Sequence, residues 1–182
     1  MKKNPERLTI EQVITRRRNK ALDSRDTLAL ILRILGLALA VWLLLSQVFV
    51  ITQVSGNSMF PALKDGDLVI GFRLQKEYAK NDVVLFRQEG KTQLGRIIAR
   101  GTDVVTMDDT GTLLVNGTPQ SGEILYPTYA KEGYEYPLRV PEDALFLLGD
   151  YRTQCTDSRD FGPVNLNAVE AKVITILRRR GL

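Results

Sequence analysis

Hydrophobic positions follow two different patterns along the chain. From Ile34 to Ile51 no residue is charged, and the run ILGLALAVWLLLSQVFVI is apolar around the helix apart from Ser46 and Gln47. Eighteen helical residues rise about 27 Å, close to the hydrocarbon thickness of a bilayer. Leu28, Leu30, Ile31 and Leu32 extend the run inward past Arg33, whose long stem can snorkel to the headgroups. A buried core helix and a cleaved signal peptide are the alternatives. Few soluble helices are apolar on every face. The run is also longer than a usual signal-peptide core and lies behind a basic tail. The pattern therefore predicts an uncleaved transmembrane anchor over 34–51.

Beyond residue 52 the apolar residues come in short β-rich runs. Asp67–Ile70, Asp82–Phe86, Gln93–Ala99, Val104–Met107, Leu113–Val115 and Ala144–Leu148 read as strands. Lys64-Asp-Gly66, Gln88-Glu-Gly90, Asp108–Gly111 and Asn116-Gly117 read as turns between them. Gly122–Leu138, with four Tyr and two Pro, suits an extended surface excursion. These runs predict a mainly β, antiparallel domain over 52–182 behind the single helix.

Charge placement orients this arrangement. Residues 1–33 carry nine basic and four acidic side chains, a net of +5, and the remainder is at −1. Basic flanks stay cytoplasmic, so the tail is expected inside and the β domain outside. Leu8–Ala21 can be an amphipathic helix with Arg16–Arg18 on anionic lipid, or a solvated tail. The near-neutral β domain gives no footprint for nucleic acid, and Arg178–Arg180 reads as a solvated or lipid-facing end.

Composition narrows the chemistry. The 182 residues include no His and one Cys. A Ser-His-Asp triad, an imidazole metal ligand, an internal disulfide and a cysteine-rich zinc site are all excluded within this chain. No metal or cofactor is expected. Two segments remain as candidates for chemistry. In Ser55–Asp67, Ser58 lies between Gly56 and Pro61, and the backbone N–H at Ser58 can form half of an oxyanion hole. Taken alone, the segment also reads as a turn joining the anchor to the first strand. In Leu148–Gly162, Asp150, Arg152, Asp157, Arg159 and Asp160 crowd one loop, where Arg forks can lock carboxylates bidentately. Solvated surface pairs are the alternative there.

Together the two segments resemble the type I signal peptidases, membrane-anchored serine endopeptidases. The first is similar to that family's G-x-S-M-x-P-x-L-x-x-G-D box at Gly56, Ser58, Met59, Pro61, Leu63, Gly66 and Asp67. The second is similar to its G-D-N-R…D-S-R…G box at Gly149, Asp150, Arg152, Asp157, Ser158, Arg159 and Gly162. Asp82–Phe86 resembles the strand box between them, and the resemblance covers roughly residues 30–177. It implies an antiparallel β fold with an apolar patch beside the membrane. It also implies a Ser nucleophile with a neutral Lys base, and exported preproteins as substrates at the outer face of a bacterial plasma membrane.

One departure bears on mechanism. The family's K-R-[VI]-[VI]-G-x-P-G-D box corresponds to Gly95-Arg-Ile-Ile-Ala-Arg-Gly-Thr-Asp103, so the position of the Lys base is Gly95. Serine needs an adjacent base, and the guanidinium of Arg96 cannot serve as one. Lys91 lies about 13 Å along an extended strand from Gly95, and Lys64 and Lys80 have no better claim. The position of the family's Lys-orienting Ser is Cys155, a poor donor. Some signal-peptidase-like proteins without catalytic residues assist pilin polymerisation, and this chain looks similar in its missing Lys. Two functions are therefore expected: cleavage of exported preproteins with a base from elsewhere, or binding of pilin subunits in a retained groove. A Ser/Lys self-cleaving regulator shares the β architecture, but the anchor and the lack of a DNA-binding segment set it aside.

Overall fold

A computed structural model describes residues 10–120 and 126–178, which form two compact units divided between Ser46 and Gln47. The first unit is made by helix α1, Ile10–Val48. Within α1, Arg25–Val48 is long and apolar enough to cross a membrane, with 24 residues of mean hydropathy 2.6. Among the described residues none of its apolar window is buried, unlike the core helix of a soluble protein. The expected anchor boundary shifts as a result. Phe49, Val50 and Ile51 leave the helix and pair as strand with Phe72, Gly71 and Ile70. Leu8, Thr9, Arg179 and Arg180 lie outside the described residues, as do the side chains of Arg16–Arg18.

The second unit contains strands β1 (Phe49–Gln53), β2 (Leu68–Phe72), β3 (Val83–Gln88), β4 (Lys91–Arg100), β5 (Val104–Met107), β6 (Leu113–Val115), β7 (Thr118–Pro119), β8 (Leu138–Arg139) and β9 (Ala144–Leu148). Helix α2 (Ser158–Phe161), β10 (Val164–Asn165) and β11 (Val169–Leu177) complete it. One antiparallel sheet has seven strands in the order β1-β2-β11-β3-β4-β9-β10, and a second has four in the order β7-β6-β5-β8. Sequence order and sheet order agree in the hairpins. Glu89-Gly90 joins β3 to β4 and Asn116-Gly117 joins β6 to β7, each pair with positive φ at both positions. Such two-residue turns match the right-handed twist of the strands they connect.

Alternation along the central strands builds the core. Val84, Phe86, Ile97, Leu145, Leu147 and Val164 form one buried cluster, joined by partly buried Phe161 and Val169. Phe146, Leu148 and Ile98 pack instead with Val105, Leu113 and Val115 of the small sheet. A third cluster, Val54, Met59, Leu63 and Val69, fastens the chain that follows β1. Burying each such side chain stabilises the fold by about 1.5–3 kcal/mol.

β11 is absent from the strands expected above. Only Ala171 in it is buried, and its register against β2 shifts between Val173 and Thr175, so no inside–outside alternation marks it in the sequence. Its exposed Ile174, Ile176 and Leu177, with Ile51 of β1 and Leu68 of β2, leave three adjacent strands with large apolar side chains in solvent.

Candidate functional site

The segment after β1 folds back on itself. Val54 donates its N–H to the Asp67 carbonyl at 2.8 Å and accepts from Gly66 N–H at 2.9 Å. Between these ties, Gly56 has φ of +83°, a conformation glycine adopts without penalty, and donates to Asp65 Oδ1 at 2.7 Å. Met59 and Leu63 point into the third core cluster at 0% and 1% exposure. Met59 is therefore a packing anchor. Its burial leaves its neighbour Ser58 at the wall of a cleft of about 360 Å³. Among the described residues, neither the Ser58 hydroxyl nor its N–H has a hydrogen-bond partner.

The cleft is neutral. Thr52, Gln53, Asn57, Gln93, Gln154 and Thr156 give it a polar lining, with Leu85, Leu94 and Cys155 among its other walls. No Asp, Glu, Lys or Arg is among its lining residues. The described lysines are placed elsewhere. Lys80 pairs with Asp103 at 3.1 Å and Lys172 with Asp82 at 2.8 Å. Lys91 is exposed at the end of the β3–β4 turn, and Lys64 is exposed beyond Leu63. Lys131 is tied to one residue of the cleft lining, Cys155. Its amine donates to the Cys155 carbonyl and to Asp160 Oδ2, both at 2.7 Å. No pattern in the sequence points to Lys131, which sits in the Tyr-rich excursion.

Gly95 pairs with Val84 in the middle of β4. A Cβ at this position would lie 3.1 Å from Phe86 Cε1 and 3.2 Å from Leu147 Cβ. Both neighbours are core residues, 2% and 0% exposed, so a side chain at 95 would need them to give by a few tenths of an ångström.

The loop after β9 forms the other side of the site. A Cβ at Gly149 would meet Cys155 Sγ at 2.7 Å and the Ser58 carbonyl oxygen at 2.8 Å, so this close approach needs glycine. Tyr151 N–H donates to the Ser58 carbonyl at 3.0 Å. Arg96 grips Asp150 bidentately, at 2.7 and 2.6 Å. Arg159 grips Asp157 in the same way, with Nε and Nη2 each at 2.9 Å. Asp157 also caps α2, accepting from Arg159 N–H, while its own N–H donates to Asp160. Ser158 is fully buried, and its hydroxyl accepts from Leu147 N–H at 2.9 Å.

Arg152 does not form the carboxylate fork expected of it. Its side chain turns inward, 1% exposed, and donates to buried Thr128 Oγ1 at 2.7 Å.

The electrostatics follow from burial. Burial alone would raise the Asp157 carboxyl, but the bonds and charge of Arg159, the Cys155 thiol and a backbone N–H outweigh it and hold the group below the usual carboxylate range. Burial, and then the Asp157 charge that accepts its proton, push the Cys155 thiol up to about 12. Cys155 is thus a protonated donor to Asp157 Oδ2 at 3.0 Å. It is neither a nucleophile nor a base at neutral pH.

The site therefore brings Ser58, Gly56, Cys155 and the Asp150–Arg159 loop together, whereas Gly95 lies outside the cleft lining and faces Phe86 and Leu147 of the core. Residues 23–177 match the family model for signal peptidase, peptidase S26. The chain is 32% identical over 132 residues to the probable thylakoidal processing peptidase 2, chloroplastic, of Arabidopsis thaliana, covering 64% of this chain and 35% of that protein. It is 30% identical over 136 residues to signal peptidase I of Bacillus caldolyticus, covering 66% and 74% respectively. It thus spans about a third of the length of the plant relative and about three quarters of the bacterial one. A crystal structure of a signal peptidase I from Enterococcus faecalis V583 aligns with a TM-score of 0.46 and 30% identity, over 55% of this chain and 98% of that one. With a family match across most of its length and both sequence boxes assembled around Ser58, the chain belongs to the signal peptidase family, peptidase S26.

Proposed function

We propose that this chain is a membrane-anchored protein that receives exported polypeptides in the Ser58 cleft at the outer face of a bacterial plasma membrane, and holds them without cutting them unaided. The observation that carries this reading is the pairing of a free Ser58 hydroxyl with a cleft that has no charged lining residue. Attack by serine on a peptide carbonyl requires transfer of its proton to a base within about 2.6–3.2 Å. Gly95 supplies none, and a Cβ there would meet Phe86 and Leu147, which are not among the residues lining the cleft.

What remains is suited to binding. Neutral amide and hydroxyl side chains can pair with an extended backbone while admitting small residues. Exported preproteins are the clients that family membership suggests, and pilin subunits are those suggested by resemblance to base-less members. The N-terminus is then cytoplasmic and the β domain extracytoplasmic, as the basic tail favours.

A second reading has one observation in its favour. Both the hydroxyl and the N–H of Ser58 are unpartnered, the state in which a nucleophile and half an oxyanion hole would await a base brought by another protein. Affinity of the full-length protein in detergent for a signal-peptide-bearing polypeptide separates the readings. Holding predicts affinity unchanged in Ser58→Ala and lost in Asn57→Trp, which fills the cleft from an exposed position. Cleavage that appears with a partner protein present and disappears in Ser58→Ala would favour the second reading.

A further inference from the structure

Tied to Ser58 by backbone, and outside the residues lining the cleft, stands a line of aromatic rings that the signal-peptidase boxes do not account for. Phe60 and Tyr151 meet edge to face with centroids 6.2 Å apart, and Tyr151 meets Tyr126 at 4.8 Å. All three rings are partly exposed. Tyr151 stands where the family's box carries Asn, Phe60 lies at a variable position of the Ser58 box, and Tyr126 belongs to the excursion before β8.

The ladder is continuous with the Ser58 site through backbone. Tyr151 N–H donates to the Ser58 carbonyl at 3.0 Å, and Phe60 follows Ser58 by two residues in a turn closed by Phe60 N–H to the Asn57 carbonyl. It is also held in place beforehand. Asp150, next to Tyr151, is clamped by both ends of the Arg96 fork, and Gln154 N–H closes the loop onto the Tyr151 carbonyl. Rigid rings offer large contact area at little entropic cost. Among the described residues the hydroxyls of Tyr126 and Tyr151 have no hydrogen-bond partner, so each can still meet a peptide carbonyl.

We infer that Phe60, Tyr151 and Tyr126 form a second subsite, in which the polypeptide lying across Ser58 places a prolyl or large aliphatic side chain as it leaves the cleft. This rests on the polypeptide-binding reading above and adds a chemical preference to it: small residues in the neutral cleft, a ring or branched side chain on the ladder. Aromatic faces take such groups through burial and CH–ring contact, and the hydroxyls select an extended backbone.

The test uses the full-length protein in detergent and fluorescence anisotropy. The probes are a signal-peptide junction peptide with alanine at its small-residue positions, and the same peptide extended at either end by a stretch bearing proline or leucine. The subsite predicts that one extension binds roughly three- to tenfold more tightly than the short peptide. Tyr126→Ala should abolish that gain while leaving the short peptide unaffected, and Tyr126→Phe should keep most of it. Thermal melting confirms that each variant is folded, and Phe60→Ala supplies an independent variant should Tyr126→Ala not fold. If the short peptide binds and neither extension gains, or if the gain survives loss of the rings, the subsite is overturned and the cleft reading stands. If no peptide binds the unaltered protein, the cleft reading falls and this inference falls with it.

Discussion

Gly95→Ala isolates the packing around the position where the family's lysine is missing. The added methyl would sit 3.1 Å from Phe86 Cε1 and 3.2 Å from Leu147 Cβ, where ordinary contact begins at 3.4 Å. Phe86 and Leu147 are 2% and 0% exposed within one cluster, so the few tenths of an ångström that must be given come out of packed core. Overpacking of this kind costs about 1–3 kcal/mol. Replacing glycine returns about 0.4–1 kcal/mol through the unfolded chain, leaving a net loss near 1 kcal/mol or somewhat more. For a domain of this size each kcal/mol lowers Tm by about 3–5 °C. Phe86→Leu removes the closer atom. Its cost should be smaller in the Gly95→Ala background than in the original chain by about 0.5–1.5 kcal/mol, a coupling that a double-mutant cycle reads directly. Circular dichroism melts of the four proteins supply the numbers. Unchanged or raised stability in Gly95→Ala, with additive effects in the double variant, would refute the claim that Phe86 and Leu147 crowd this position.

Two further predictions concern the loop that frames the cleft. Asp157 has a folded-state pKa below its unfolded value, so its contribution to stability is present above about pH 4 and is lost as pH falls through the folded value. Asp157→Asn should flatten that acid limb in a pH series of melts and cost about 3–5 kcal/mol at neutral pH, because Arg159 is left buried and unpaired; an unchanged acid limb would count against the assignment. Cys155, buried with its thiol near 12, should react with iodoacetamide at pH 8 about a thousand times more slowly than a free thiol, and alkylation at the free rate would contradict its placement.

Much of this arrangement is legible in the sequence because local chemistry and tertiary context agree there. Five of the six predicted strands coincide with β2, β3, β4, β5 and β9 to within a few residues, and Leu113–Val115 is β6 itself. Gly90 and Asn116-Gly117 announce their turns through residue types that tolerate positive φ. Other features have no local signal. β1 hides at the end of the apolar run, where Phe49–Ile51 are as compatible with a helix as with a strand until β2 pairs with them. β11 carries its apolar residues outward, so its strand character exists only in its pairing with β2 and β3.

The site divides in the same way. Ser58, Gly56 and the Asp150–Arg159 loop can be located from residue type and spacing. Contacts distant in sequence cannot: Lys131 holding the Cys155 carbonyl, Arg152 reaching Thr128, and Tyr126 stacking against Tyr151. The crowding at Gly95 is of this second kind, because it depends on how near Phe86 and Leu147 stand.

The most direct test of the whole account is proteolysis. Purified full-length protein in detergent is incubated at neutral pH with a signal-peptide-bearing substrate, beside its Ser58→Ala variant, and products are read by mass spectrometry. The account predicts no cleavage above the Ser58→Ala background. Turnover by the isolated protein that vanishes in Ser58→Ala would show that the hydroxyl has found a proton acceptor after all, and would contradict it.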